Sequence, residues 1–186
     1  MKRIIAILLC LTFVFSFVGC KNGKKNGGNG IDIEYFANLG QIPENDITLG
    51  TTPEKLKQTL DRRGEEAEKN GEHYGYNEVE GENNVLVEEG PYDYYYKKAN
   101  PQDGVAYIVS YLDAFGFKIG DIIVEVEKLL SDYEVEKLSA NEKNAFFYFG
   151  DYEKAQILRI PFKKNTVLFL FEDNSLCATA IYRNDF

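Results

Sequence analysis

The sequence predicts an α+β body that uses one unit twice, each copy a helical layer packed on one face of an antiparallel β-meander. Three observations predict it. An apolar–polar–apolar lead, a glycine and a helix start occur twice, 70 residues apart. Each is followed by aromatic and β-branched segments separated by turn sequences. Successive strands with short turns read as antiparallel, and one amphipathic helix can cover only one face of such a sheet.

The two units are Ile47 to Leu60 and Phe117 to Leu130, with Gly50 over Gly120 and Leu60 over Leu130. In the first, Thr51 is the expected cap, Glu54 completes a capping box and Pro53 stands in the first turn. Leu56 and Leu60, four apart, share a face. In the second, Asp121 is the expected cap and Ile123, Val126, Leu129 and Leu130 form the buried stripe. Helices are predicted near 53–69 and 122–131. The first copy, with its lead-in, takes residues 31–116 and the second 117–186; the lead-in 31–46 shows no clear pattern.

Strand-like segments follow each helix. In the first copy they are 92–98 and 105–112, divided by the turn sequence Asn100-Pro-Gln-Asp-Gly104. In the second they are 145–149, 156–162, 166–171 and 176–183. Lys163-Lys-Asn165 and Glu172-Asp-Asn-Ser175 supply turns.

The amino-terminal segment has a different character. Lys2 and Arg3 precede fifteen uncharged, mostly apolar residues, Ile4 to Val18. A spanning helix needs roughly 20, so this length fits the apolar region of an export signal, with small Gly19 at a cleavage position. Phe17-Val-Gly-Cys20 resembles the lipobox of bacterial lipoproteins, with Phe17 where that family usually has Leu. The resemblance implies cleavage before Cys20 and acylation of its thiol. It implies a protein held by lipid, palmitate included, at the cell membrane or outer membrane and facing away from the cytoplasm. Two acyl chains suffice for stable anchoring. Residues 21–30 are only Lys, Asn and Gly, a flexible tether reaching about 17 Å by coil statistics.

All 30 acidic residues but only 16 of the 21 Lys and Arg lie in residues 31–186, which leaves that body at −14. So acidic a surface repels phosphate backbones, and nucleic acid is excluded as a partner. Cys10 leaves with the leader and Cys20 is acylated. Cys177 then stands alone in an apolar stretch, as a buried, inert thiol.

The doubled lead–glycine–helix–meander pattern over 47–183 resembles the tandem-repeat fold of the β-lactamase-inhibitory protein family. It is also similar to the small assembly lipoproteins of bacterial outer membranes. That resemblance implies two sheets forming one concave, protein-binding surface. No inhibitory residue matches position by position, so it implies no inhibitory activity.

Catalytic motifs are sparse. His73 is the only histidine, which rules out zinc motifs needing two or three. No nucleophile motif accompanies it. The glutamates at 65, 66, 68, 78, 80, 82, 88 and 89 lack the spacing of a calcium loop and read as a solvated face. No cofactor is expected.

The aromatics point elsewhere, with thirteen Tyr and thirteen Phe and no Trp. Tyr92, Tyr94 and Tyr96 alternate on one side of a strand. Tyr107 and Tyr111 share a side of the next strand, while Ile108 and Leu112 take the other; Phe169 and Phe171 oppose Leu168 and Leu170. If aliphatic sides face the helices, these seven aromatics line the open sheet, where tyrosine suits an interface. The same residues also suit cross-strand stabilisation. The expected function is a membrane-tethered, non-catalytic module binding a protein or peptide. The alternatives are a structural envelope lipoprotein and a hydrolase of envelope polymers working through a carboxylate pair.

Overall fold

The computed structural model describes residues 30–186; the leader, Cys20 and all of the tether but Gly30 lie outside them. Among the described residues there are three α-helices and eight strands. The helices are α1 (Ile33–Leu39), α2 (Pro53–Lys69) and α3 (Ile123–Leu129). The strands are β1 (Asn77–Glu80), β2 (Asn84–Glu89), β3 (Tyr92–Lys97), β4 (Val105–Ser110), β5 (Glu136–Ser139), β6 (Ala155–Pro161), β7 (Asn165–Glu172) and β8 (Ser175–Arg183). They form one antiparallel sheet in the order β1-β2-β3-β4-β8-β7-β6-β5. The body is therefore α+β, as expected. No helix among the described residues is long and apolar enough to cross a membrane.

The helix ends follow local chemistry. α2 has the predicted bounds, but its N-cap is Thr52, whose hydroxyl accepts from the Lys55 amide at 3.4 Å. Thr51 serves the lead instead, its hydroxyl accepting from the Thr48 amide. Glu54 makes no capping-box bond; its carboxylate accepts from Gln58. At the far end Gly71 adopts φ 74, which lets the Glu72 amide reach back to Ala67. α3 starts without a side-chain cap, since Ile122 is its N-cap and Asp121 accepts from the Lys118 amide instead. Leu129, assigned to the buried stripe, is exposed, whereas Ile123, Val126 and Leu130 are buried.

The lead-in holds a helix that the sequence pattern concealed. α1 has only seven residues, too few for a clear period. Asp32 caps it by accepting from the Tyr35 amide at 3.0 Å, and left-handed Gly40 ends it. It buries Ile33 and Ala37 over β7. β1, β2 and β5 are strands beyond those expected: β1 and β5 are short and largely polar, and in β2 only Val85-Leu86-Val87 is apolar. Residues 145–149, expected as a strand, form turns.

Each glycine-led segment is stitched to a central strand in the same way. The Gly50 amide donates to Val105 and the Val105 amide to Thr51. The Gly120 amide donates to Leu176 and the Leu176 amide to Asp121. Gly104 sits so close to the first junction that a Cβ there would stand 2.4 Å from the Gly50 carbonyl oxygen. Only glycine fits.

The helices and the 114–117 turn cover one face of the sheet, and most of the core lies between them. Leu56 and Leu60 pack toward Val87 and Tyr96. Each such buried leucine contributes about 1.5–3 kcal/mol by leaving water. A second apolar cluster lies on the opposite face.

Candidate partner-binding surface

Strand register decides which face each aromatic occupies. Ile108 faces the helices, as expected, and Tyr94 is its partner across the β3–β4 ladder. Cross-strand partners share a face, so Tyr94 is carried to the helix side with Ile108. Tyr96 follows it, and both are buried in the helix-side core. Tyr92 is half-buried beside them, its ring stacked 6.3 Å from Tyr94. Phe169 and Phe171 are likewise buried on the helix side, with Phe115 and Phe117 edge-on to Phe169 at 6.1 and 5.2 Å. The expectation that these five line the open face is therefore corrected. The physical reason is register: β3 meets β4 with Tyr94 opposite Ile108, and β7 meets β6 with Phe169 opposite Leu158, so both aromatic sets share the helix-side face with those aliphatic partners.

On the helix side the Tyr94 hydroxyl enters a buried polar network. Tyr94 and Tyr74 each donate to Glu89 at 2.7 Å. The Arg63 guanidinium pairs with the same carboxylate and reaches Asn45 and Asp46. Asn45 donates to Tyr94 and accepts from the Ile47 amide. Burial, then the neighbouring Glu89 charge, pushes the Tyr94 phenol far above its usual range. Desolvation of Arg63 is outweighed by its bonds to Glu89 and Tyr94, so it stays charged. This constellation fixes a helix on a sheet.

Tyr107 does face away from the helices, but it is buried there. It stacks on Tyr182 at 4.9 Å and meets Phe146, Phe147 and Phe186 within 5.0–5.7 Å. The segment that was expected to be a strand thus lies across this face as a strap. Tyr95 joins the same cluster, 6.1 Å from Tyr107. The expectation of an uncovered tyrosine surface is corrected here too.

What remains open lies beside the strap. Tyr111 is 37% exposed, and its hydroxyl donates to Asp93 at 2.7 Å. Burial pushes the Asp93 carboxyl above its ordinary range, and the Tyr111 bond partly offsets this. Phe149, at 85% exposed, stands almost wholly in water. Next to it, Tyr148 lies near Cys177, as Tyr111 does. Burial pushes the Cys177 thiol up to about 11, and it donates to the Leu170 carbonyl. A thiol held protonated is a poor nucleophile. Phe149 carried no signal in the sequence, since nothing there distinguishes it from Phe146 and Phe147.

The remaining candidates are dispersed. His73 is exposed. Glu78 and Glu80 lie on the wholly exposed β1, with Glu80 paired to Lys98 at 2.6 Å. Among the described residues no three His, Cys, Asp or Glu side chains gather to hold a metal ion. Comparison with protein-family models, curated proteins and solved structures returns no match for this chain.

Proposed function

We propose that this chain is an extracytoplasmic lipoprotein, acylated on Cys20 and tethered by its Lys/Asn/Gly linker, that works as a non-catalytic protein-binding module. The partner docks on the face away from the helices, at the margin formed by Tyr111, Tyr148 and Phe149. The observation that carries this reading is Phe149, a large apolar ring held in water and following half-buried Tyr148 in the chain, which like exposed Tyr111 lies near Cys177. Single exposed apolar residues are ordinary, but an aromatic group on one face is a favoured kind of contact surface. The body is built as two copies of one unit, 31–116 and 117–186. The matching bonds of Gly50 to Val105 and of Gly120 to Leu176 support that reading, as does the mirrored strand order.

Two measurements test it. Labelled palmitate supplied to expressing cells should enter the protein and be lost in Cys20→Ser; an unlabelled parent chain removes the anchor. Photo-crosslinking from position 149 on intact envelopes should give a discrete adduct, abolished by Tyr111→Ser. A crosslinking pattern unaffected by that change removes the binding face.

A further inference from the structure

At the end of the sheet where β7 begins and β8 finishes there is a groove of about 550 Å³. Its charge is opposite to that of the body. Lys163 and Lys164 come from the β6–β7 turn and Arg183 from the end of β8, against the single carboxylate of Asp185. Three cations and one anion leave the lining two charges positive, in a body of −14. Salt screens exposed charges beyond about 8 Å at physiological ionic strength, so distant acids do not cancel this local field; nearer by, the charge of Asp103 reaches Arg183 and that of Lys97 reaches Asp185, and the two offset each other.

The cations are not equivalent. Arg183 is fully engaged, its Nε and Nη2 on Asp185 at 2.9 and 2.7 Å and its Nη1 on the Asp103 carbonyl at 2.8 Å. Lys163 and Lys164 make no ion pair among the described residues, though acids outnumber bases across the chain. Two adjacent lysines beside an arginine repel one another until an anion arrives.

The turn that carries them is braced from below. The buried Asn165 donates to the Ala37 carbonyl at 2.7 Å, and Asn184 donates to the Phe162 carbonyl at 2.9 Å. The Asn184 amide also binds the Lys164 carbonyl. The lysine backbone is thus fixed before any ligand binds, which lowers the ordering cost of binding. Leu39 and Leu49 complete the lining with apolar surface.

We propose that this groove is a phosphate-binding site, with Lys163 and Lys164 contacting the phosphate and Leu39 and Leu49 meeting the less polar part of the molecule that bears it. Lysine is a compact, mobile donor suited to phosphate as a point charge. The site is separate from the Tyr111–Phe149 face and does not depend on it.

The test uses the full chain in dodecyl maltoside, labelled with ¹⁵N and followed by amide resonances. Two probes are titrated separately, inorganic phosphate and dihexanoyl phosphatidylglycerol below its micelle concentration. Saturable shifts at Lys164, Asn165 and Asn184 are expected with at least one probe. They should weaken as sodium chloride is raised. Saturation by phosphate alone identifies a free phosphate, and saturation only by the lipid identifies a headgroup. Lys163→Ser combined with Lys164→Ser should lower the affinity at least about ten-fold. Both positions are exposed, and an unchanged thermal unfolding curve verifies that the double variant is folded. No saturable shift at these residues with either probe, or unchanged affinity in the folded double variant, overturns the proposal.

Discussion

The two halves of the sheet hold their helices by different chemistry. α2 lays Leu56 and Leu60 on the first half and then pins its later turns with Arg63, bonded to the buried Glu89. α3, at seven residues, has only an exposed ion pair to the sheet, Glu127 with Lys137 on β5 at 3.2 Å. It relies on Ile123, Val126 and Leu130 and on a backbone bond from Ile123 to Asn174. Both buried carboxylates among the described residues, Glu89 and Asp93, lie in the first half; Asn165, Thr166 and Thr179 are the buried polar residues of the second. The contrast teaches that a long helix and a short one need different restraints. Apolar contacts give affinity but tolerate sliding, whereas a directional network admits one position. A helix of two turns, held at its first residue by the sheet itself, has little room to slide.

The sharpest way to break this comparison is to remove the pin. Arg63→Ala leaves Glu89 buried and unpaired, and should cost about 3–5 kcal/mol in urea unfolding. Arg63→Met combined with Glu89→Leu should recover most of that loss, because a well-packed apolar pair needs no compensation. A single-variant cost below about 1 kcal/mol makes the network a surface feature and erases the distinction.

A smaller effect separates the two helix starts. Thr52→Ala removes the cap of α2 and should cost about 1 kcal/mol. Ile122→Asp gives α3 the cap it lacks and should gain about 0.5–1 kcal/mol. Thermal unfolding of the two variants reads both signs. A destabilising Ile122→Asp shows that the bridge between Ile122 and Ser175 matters more than the cap.

The smallest effect concerns the carboxylate without a cation. Burial raises the folded pKa of Asp93, so the folded state binds the proton more tightly than the unfolded state. Its contribution is fully present below the ordinary carboxylate range and is lost as pH rises through the raised value. Asp93→Asn should therefore melt slightly higher than the parent at pH 7, with the difference vanishing below about pH 4. A difference that persists unchanged at low pH rules out ionisation as its cause.

The elements were legible where local chemistry is strong. α2 declares itself through Pro53 and the Leu56–Leu60 spacing. Five strands of the sheet, β3, β4, β6, β7 and β8, follow from β-branched and aromatic runs between turn residues. α1 and β1, at seven and four residues respectively, carry too little period to be legible. The 145–149 segment has the aromatic content of a strand, but its rings cover the sheet instead of joining it.

The candidate surface was legible only in part. Of the seven predicted aromatics, Tyr111 alone is exposed and Tyr92 is half-buried. The sequence shows that Tyr94 and Tyr95 take opposite sides of a strand, since alternation is a property of the backbone. It cannot say which side meets the helices.

By itself, then, the sequence determined the mixed α+β composition, the long helix, the central strands and the alternation within each of them. These depend on neighbours within a few positions along the chain. The pairing of Tyr94 with Ile108 and of Tyr95 with Tyr107, and the strap of Phe146 and Phe147, were decided by the tertiary structure. A shift of one residue in register sends every side chain to the other face, and register is set by contacts far apart in sequence.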